Sequence, residues 1–328
     1  MSRIVALTGA TGFIGNVLAH RFHAAGWVVR ALVRASSRTA NLATIPIQFV
    51  EGDLSDFGSL RRLVEGVDDV VHCAGLVRGA SLADFESVNV HGVENVLQAS
   101  CDQTRVPRFL LMSSLAAREP VLSPYATSKL QGEAQLALLA RDMEWMVLRP
   151  PAVYGPGDRE LRPLFEWMGR GIALKLGHDH ARFSLLYVDD LADAVVMCLE
   201  NPFSALRVVE FHDGYPGGYS WNDVIDTVER ICQRRVARFS ISESLLRFVA
   251  LCNITASRLT GYTPMFTPGK VRELRHHNWV CDNAVIRDAI GWVPKIALDE
   301  GLRKTFGWGC KAHSSAQSDT TVPYRLDS

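Results

Sequence analysis

The chain has 328 residues, 48% of them hydrophobic, enough for one large α/β domain with an appended lobe or for two domains sharing a cleft. Lysine plus arginine and aspartate plus glutamate stand at 35 each, so no overall field holds the chain on nucleic acid or an anionic membrane, and a small-molecule ligand is expected. The seven cysteines are scattered and contain no C-x-x-C, which argues against a disulfide framework or a zinc site and for a reducing, cytoplasmic setting.

Short β-branched runs at residues 4–7, 28–33, 47–50, 69–73, 109–112 and 146–148 read as strands. Helical patterns at 14–25, 57–65, 85–101 and 125–140 separate them. This alternation predicts βαβ units and a doubly wound parallel sheet over residues 1–150, with strands apolar on both faces. From Pro150 the rhythm breaks at Pro151, Pro156 and Pro163, and helix-like stretches at 163–169, 191–200, 221–233 and 243–259 predict a smaller substrate-binding lobe over 151–310, interleaved with the last sheet strands. Residues 311–328 are polar and Ser/Thr-rich and read as a flexible tail. No apolar run is long enough for an integral membrane segment, and Gly9, Gly12 and Gly15 interrupt the apolar N-terminus in a way unlike a signal peptide.

Thr8-Gly9-Ala10-Thr11-Gly12-Phe13-Ile14-Gly15 directly follows the first strand and opens the first helix, the context a phosphate-binding glycine loop requires. Gly9 permits the tight turn, Gly12 lets backbone approach a pyrophosphate, and Gly15 allows close helix packing; the helix N-terminus adds free N–H groups and a positive dipole end. The second strand ends at Arg34, where an NAD enzyme usually carries an acidic residue for the ribose 2′-hydroxyl. Arg34, helped by Ser36, Ser37 and Arg38, suits a 2′-phosphate, so NADP is favoured over NAD; a plain surface charge is the alternative. Asp53, in Gly52-Asp53-Leu54, is placed to meet the adenine amino group or to form a turn.

Further motifs follow in order: His72-Cys73-Ala74-Gly75, Asn89-Val90-His91-Gly92, Ser113-Ser114, Tyr125-Ala126-Thr127-Ser128-Lys129, the run from Arg149 to Gly157, and Val188-Asp189-Asp190-Leu191-Ala192. With the glycine loop they make the chain resemble the extended short-chain dehydrogenase/reductase superfamily, which includes nucleotide-sugar epimerases and dehydratases, 3β-hydroxysteroid dehydrogenases and dihydroflavonol reductases. The resemblance implies a Rossmann-type fold, Tyr125 as acid/base, Lys129 on the nicotinamide ribose, and Ser114 on the substrate oxygen, with Ser113 or Ser123 as alternatives to Ser114. It makes Leu54 a cofactor contact together with Asp53, lines the ribose with Cys73, Ala74 and Gly75, sets Pro150, Pro151 and Val153 beneath the nicotinamide, and makes Asn89 a brace. A spacing of four puts Tyr125 and Lys129 on one helix face, and a phenol needs cationic help to act as a base near neutrality.

The resemblance also narrows the reaction. Leu115 and Ala116 stand where the dehydratase branch carries acidic residues, and Phe183 stands where the nucleotide-sugar branch carries a diphosphate-binding arginine. The expectation is a dehydrogenase or reductase acting on a carbonyl or secondary alcohol of a small apolar molecule. A nucleotide-sugar epimerase is second and a non-catalytic NADP-binding sensor or assembly protein third. The apolar stripe from Leu245 to Ile254 reads as core, with a pocket roof as the other reading. His178, His180, His276 and His277 lack a third spaced ligand and read as solvated surface, so no metal is expected. A homodimer is compatible with the sequence but not read from it.

Overall fold

A computed structural model describes residues 2–203 and 207–309. The first half runs β1 (Ile4–Thr8), α1 (Phe13–Ala24), β2 (Val28–Val33), β3 (Ile47–Glu51), α2 (Phe57–Val64), β4 (Asp69–His72), α3 (Leu82–Asn89), α4 (His91–Cys101), β5 (Arg108–Met112), α5 (Pro124–Leu139) and β6 (Trp145–Arg149). The six expected strands all form, each bound within one residue of the expected one. The second half continues with β7 (Ala152–Tyr154), α6 (Arg162–Gly169), β8 (Ile172–Lys175), β9 (Arg182–Phe183), β10 (Leu185–Tyr187), α7 (Val188–Glu200), β11 (Val208–Glu210), α8 (Trp221–Cys232) and β12 (Ala237–Ser240). It closes with α9 (Glu243–Thr260), α10 (Pro268–Arg275), β13 (Asn278–Trp279), α11 (Ala284–Ile290) and α12 (Leu298–Phe306).

Seven strands form one parallel sheet in the order β11-β6-β5-β4-β1-β2-β3. One face packs on α1 and α7 through a core that includes Leu18, Phe22, Leu191 and Val195. The other packs on α2, α4 and α5 through Leu63, Val96, Leu97 and Leu136. The strand order reverses between β1 and β4, which opens a crevice at their carboxyl ends where such sheets bind ligands. This is the doubly wound Rossmann-type architecture.

The short strands β7–β10, β12 and β13 and the helices α10–α12 were not expected from the sequence, and three further features differ from its reading. The helix expected over 85–101 is two helices, because at Val90 the backbone leaves regular geometry beside Asn89, whose side chain is turned to the Leu76 backbone. The seventh strand, β11, is three residues long and pairs with β6, too short to carry a periodic signal. The stripe on α9 is not core: of its large side chains Leu246 is buried, while Leu245, Phe248, Val249 and Leu251 are exposed. The expected tail at 311–328 lies outside the described residues.

Candidate active site

The turn after β1 is shaped by three backbone requirements. Gly9 has φ +74°, in the left-handed region glycine favours, and a Cβ there would meet the Ala74 backbone N at 2.7 Å. A Cβ on Gly15 would lie 2.1 Å from the Gly9 carbonyl oxygen, so α1 can approach its own entry loop only with glycine there. The Gly12 N–H donates to the Gly9 carbonyl at 3.0 Å, and no side chain caps α1, which leaves its first N–H groups directed into the crevice. An uncapped helix N-terminus with a cradle that a side chain would fill fits a dinucleotide pyrophosphate.

A cavity of about 1330 Å³ extends from this loop to the C-terminal lobe. Gly9, Thr11, Gly12, Phe13, Ile14, Gly15, Cys73, Gly75, Ser114, Tyr125, Lys129, Pro150 and Val153 all line it. Ala74 sits behind the wall, its N–H donating to the Thr8 hydroxyl at 3.2 Å. Arg34 and Asp53 are exposed and do not line this cavity. The Arg34 N–H donates to the Ser37 hydroxyl at 3.1 Å, and the Asp53 carboxylate accepts from the Ser55 N–H and hydroxyl at 3.0 Å each. Leu54 packs against α4, its carbonyl accepting from Asn95 at 2.9 Å.

Lys129 and Tyr125 share the first turns of α5, which starts cleanly because the Ser123 hydroxyl accepts from the Ala126 N–H and Pro124 occupies the first turn. The Lys129 ammonium donates to the Met112 carbonyl at 3.0 Å and faces the position of a Gly75 Cβ at 3.1 Å. Burial pulls its pKa down to about 8, against the opposing pull of Cys73 and Glu133. Burial pushes the Tyr125 phenol above its usual range, while the Ser114 hydroxyl and then Lys270 pull it back. Cys73 is pushed up to about 12 by burial and is no nucleophile.

The three serines separate by their partners. Ser113 donates to the buried Glu133, and Ser123 donates to the buried Glu273 while capping α5. Ser114 is the hydroxyl that influences Tyr125. Asn89 is the brace the sequence suggested: it accepts from the Leu76 N–H at 2.8 Å and donates to the Leu76 carbonyl and the Ser128 hydroxyl.

Sequence reasoning missed two groups. Glu133, which accepts from Ser113, pairs with Arg149 at 2.6 Å, and Arg149 reaches Glu210 of the edge strand, so a partly buried ionic chain adjoins the site. From the second half, α10 brings Lys270 and Glu273, paired at 2.8 Å, into the cavity wall beside Tyr125. A Cβ on Gly269 would strike the Ser123 Cβ at 2.8 Å, so glycine is what lets α10 come this close. The signal was present: Thr267-Pro268 is a cap followed by proline in the first turn, and the Thr267 hydroxyl accepts from the Lys270 N–H at 3.2 Å.

Away from the glycine loop the wall is mostly apolar, including Phe85, Leu164, Phe165, Phe183, Trp221 and Ile254. Arg162, also in the wall, is tied to Glu166 at 2.7 Å.

The sequence profile of the NAD dependent epimerase/dehydratase family matches residues 5–209. The chain is 34% identical to a ceramide reductase of Caulobacter vibrioides, over 93% of this chain and 94% of that protein. It is 27% identical to a 2-alkyl-3-oxoalkanoate reductase of Stenotrophomonas maltophilia, over 92% of this chain and 97% of that protein. Among solved structures, a UDP-glucose 4-epimerase of Thermotoga maritima with UDP-glucose superposes with a TM-score of 0.69 at 21% identity, over 92% of this chain and 97% of that one, a likeness of fold.

Proposed function

The chain belongs to the NAD dependent epimerase/dehydratase family, of extended short-chain dehydrogenase/reductase type, and from that premise we propose that it is a nicotinamide-dependent reductase or dehydrogenase acting on the carbonyl or secondary alcohol of an amphiphilic substrate. The observation that carries this reading is a cavity holding the glycine loop, Lys129 and Tyr125 at one end and, at the other, a wall rich in apolar side chains in which Lys270 pairs with Glu273 and Arg162 with Glu166.

The nicotinamide, when bound, supplies or accepts the hydride. The chain's own groups do the rest. The glycine loop and the uncapped N-terminus of α1 hold the pyrophosphate, and Lys129 holds the ribose. Arg34, exposed at the end of β2, supports NADPH over NADH through its 2′-phosphate. With its pKa raised, Tyr125 is protonated at neutral pH and suited to donate its Oη proton to the oxygen of a reduced carbonyl. Ser114 orients that oxygen.

The apolar wall and the names of the ceramide and oxoalkanoate reductases support an aliphatic substrate, whose polar end the Lys270–Glu273 pair suits. A second reading, nucleotide-sugar epimerisation, draws on Arg159 in the cavity wall as a phosphate ligand. Scattered free cysteines, most of them partly or fully buried, support a cytoplasmic setting. The test is NADPH-dependent turnover of long-chain ketones against UDP-sugars. Turnover of the ketones that Tyr125→Phe abolishes supports the proposal; saturation by a UDP-sugar with an epimerised product transfers it to the second reading. A well-folded chain that binds cofactor and turns over neither would fit the sensor.

A further inference from the structure

We propose that α9 is a docking helix that lies on an anionic lipid surface and holds the mouth of the cavity against it. The inference rests on the amphiphilic substrate proposed above, and it begins from a helix that is inside out. An ordinary surface helix turns its apolar stripe to the core. Along the 18 residues of α9 the small inward face consists of Leu246, Ala250 and Ser257. The outward face carries Leu245 at 50% exposure, Phe248 at 65%, Leu251 at 57% and Leu259 at 83%. Leu245, Phe248, Val249 and Cys252 follow three- and four-residue steps, and Leu259 lies two turns beyond Cys252, so they share one side. Contiguous apolar surface of this kind on a folded chain marks a contact site.

Two further observations choose the occupant. The first is charge. The chain as a whole is neutral, yet residues 234–277 carry eight Lys and Arg against two Glu. Arg238 is neutralised by Asp226 and Glu229, Arg247 and Arg275 reach Glu243, and Lys270 pairs with Glu273, but Arg258 lies exposed on the flank of the apolar stripe. An apolar face flanked by Arg258, in a stretch with an excess of basic residues, fits a helix lying in the plane of an anionic bilayer surface. The second is continuity with the site. Ile254 of α9 lines the cavity, as do Pro264, Met265 and Phe266 in the segment that follows it. The same helix packs on α10, which carries Lys270. A bilayer against α9 thus adjoins the wall through which a long-chain substrate would pass. No helix among the described residues is long and apolar enough to cross a membrane, so this is attachment to a surface.

The experiment uses the full chain and vesicle flotation, with phosphatidylcholine alone and with phosphatidylglycerol added. The expected result is recovery with the anionic vesicles at low salt, at least tenfold less with phosphatidylcholine or at high salt, and at least tenfold less for Phe248→Asp/Leu259→Asp. Both positions are exposed and outside the cavity wall, so the variant should keep its thermal midpoint, its cofactor binding and its turnover of a short, water-soluble ketone. Light scattering runs alongside. No recovery with anionic vesicles, recovery that the double variant leaves unchanged, or a wild-type dimer that the variant turns into a monomer would overturn the proposal, the last assigning the face to a second copy of the chain. Flotation requires no turnover, so vesicle binding without amphiphile reduction would sink the proposed activity and leave the docking helix standing.

Discussion

At the scale of single residues, the half-buried Tyr125 and the buried Lys129 both have a displaced ionisation, and each displacement has a measurable consequence. Tyr125→Phe keeps the ring's packing against Phe85 and removes the proton donor. We expect turnover to fall by about 10²–10⁴-fold with cofactor affinity little changed, measured by steady-state kinetics beside a binding titration. For Lys129 the sign follows from a pKa lowered to about 8 in the folded chain against an ordinary 10.5. The folded state sheds this proton first, so burying the charge costs stability fully below about pH 8, and that cost is relieved as pH rises from about 8 to 10.5. Under the proposed role of Lys129 on the ribose, cofactor affinity runs the other way: it should weaken as pH climbs through 8 in wild type as the ammonium loses its charge, and the dependence should flatten in Lys129→Arg. Arg34→Ala is expected to weaken NADPH by roughly ten- to hundredfold, the 1.5–3 kcal/mol of a charge-assisted bond, and to spare NADH. Equal losses for both cofactors would remove Arg34 from the 2′-phosphate.

At the scale of elements, the glycine loop and the six longer strands were legible because their signals are local. A buried parallel strand is an unbroken apolar run, and a glycine loop sits at a fixed place between strand and helix. Gly15→Ala tests the loop as a unit. Its Cβ would lie 2.1 Å from the Gly9 carbonyl, so α1 must retreat; cofactor binding should be lost, and stability should fall by about 1–3 kcal/mol in denaturant titrations. What was not legible depended on partners distant in sequence. The three residues of β11 become a strand because β6 is there to pair with. The Glu133–Arg149–Glu210 chain joins three elements, and no spacing rule links them. The apolar stripe of α9 was read as core because periodicity reports that a face is apolar without reporting what covers it.

At the scale of the whole molecule, the proposed acid/base group and the cation beside it come from different halves of the chain: Tyr125 from α5 and Lys270 from α10. Burial raises the Tyr125 pKa, Lys270 lowers it, and Glu273 raises it. Lys270 in turn is pulled down by burial, yet Glu273, with Tyr125 and Glu160, outweighs this and keeps the ammonium charged. Lys270→Met should therefore do two things at once. It removes the cation that favours phenolate and leaves the Glu273 anion opposing it, so the basic limb of alcohol oxidation, which needs phenolate, should move to higher pH. It also leaves a buried carboxylate without its partner, a loss that typically costs 3–5 kcal/mol, so the thermal midpoint should drop. Adding Glu273→Gln removes the stranded charge. In the double variant the pH limb should return towards wild type and much of the thermal stability should recover, because the opposing influences on Tyr125 leave together. If instead Lys270 acts only on substrate, the single and double variants will share a raised KM with an unmoved pH profile. If it serves only to pack α10 against α5, the thermal midpoint will fall in both variants while kcat, KM and the pH limb stay where they were.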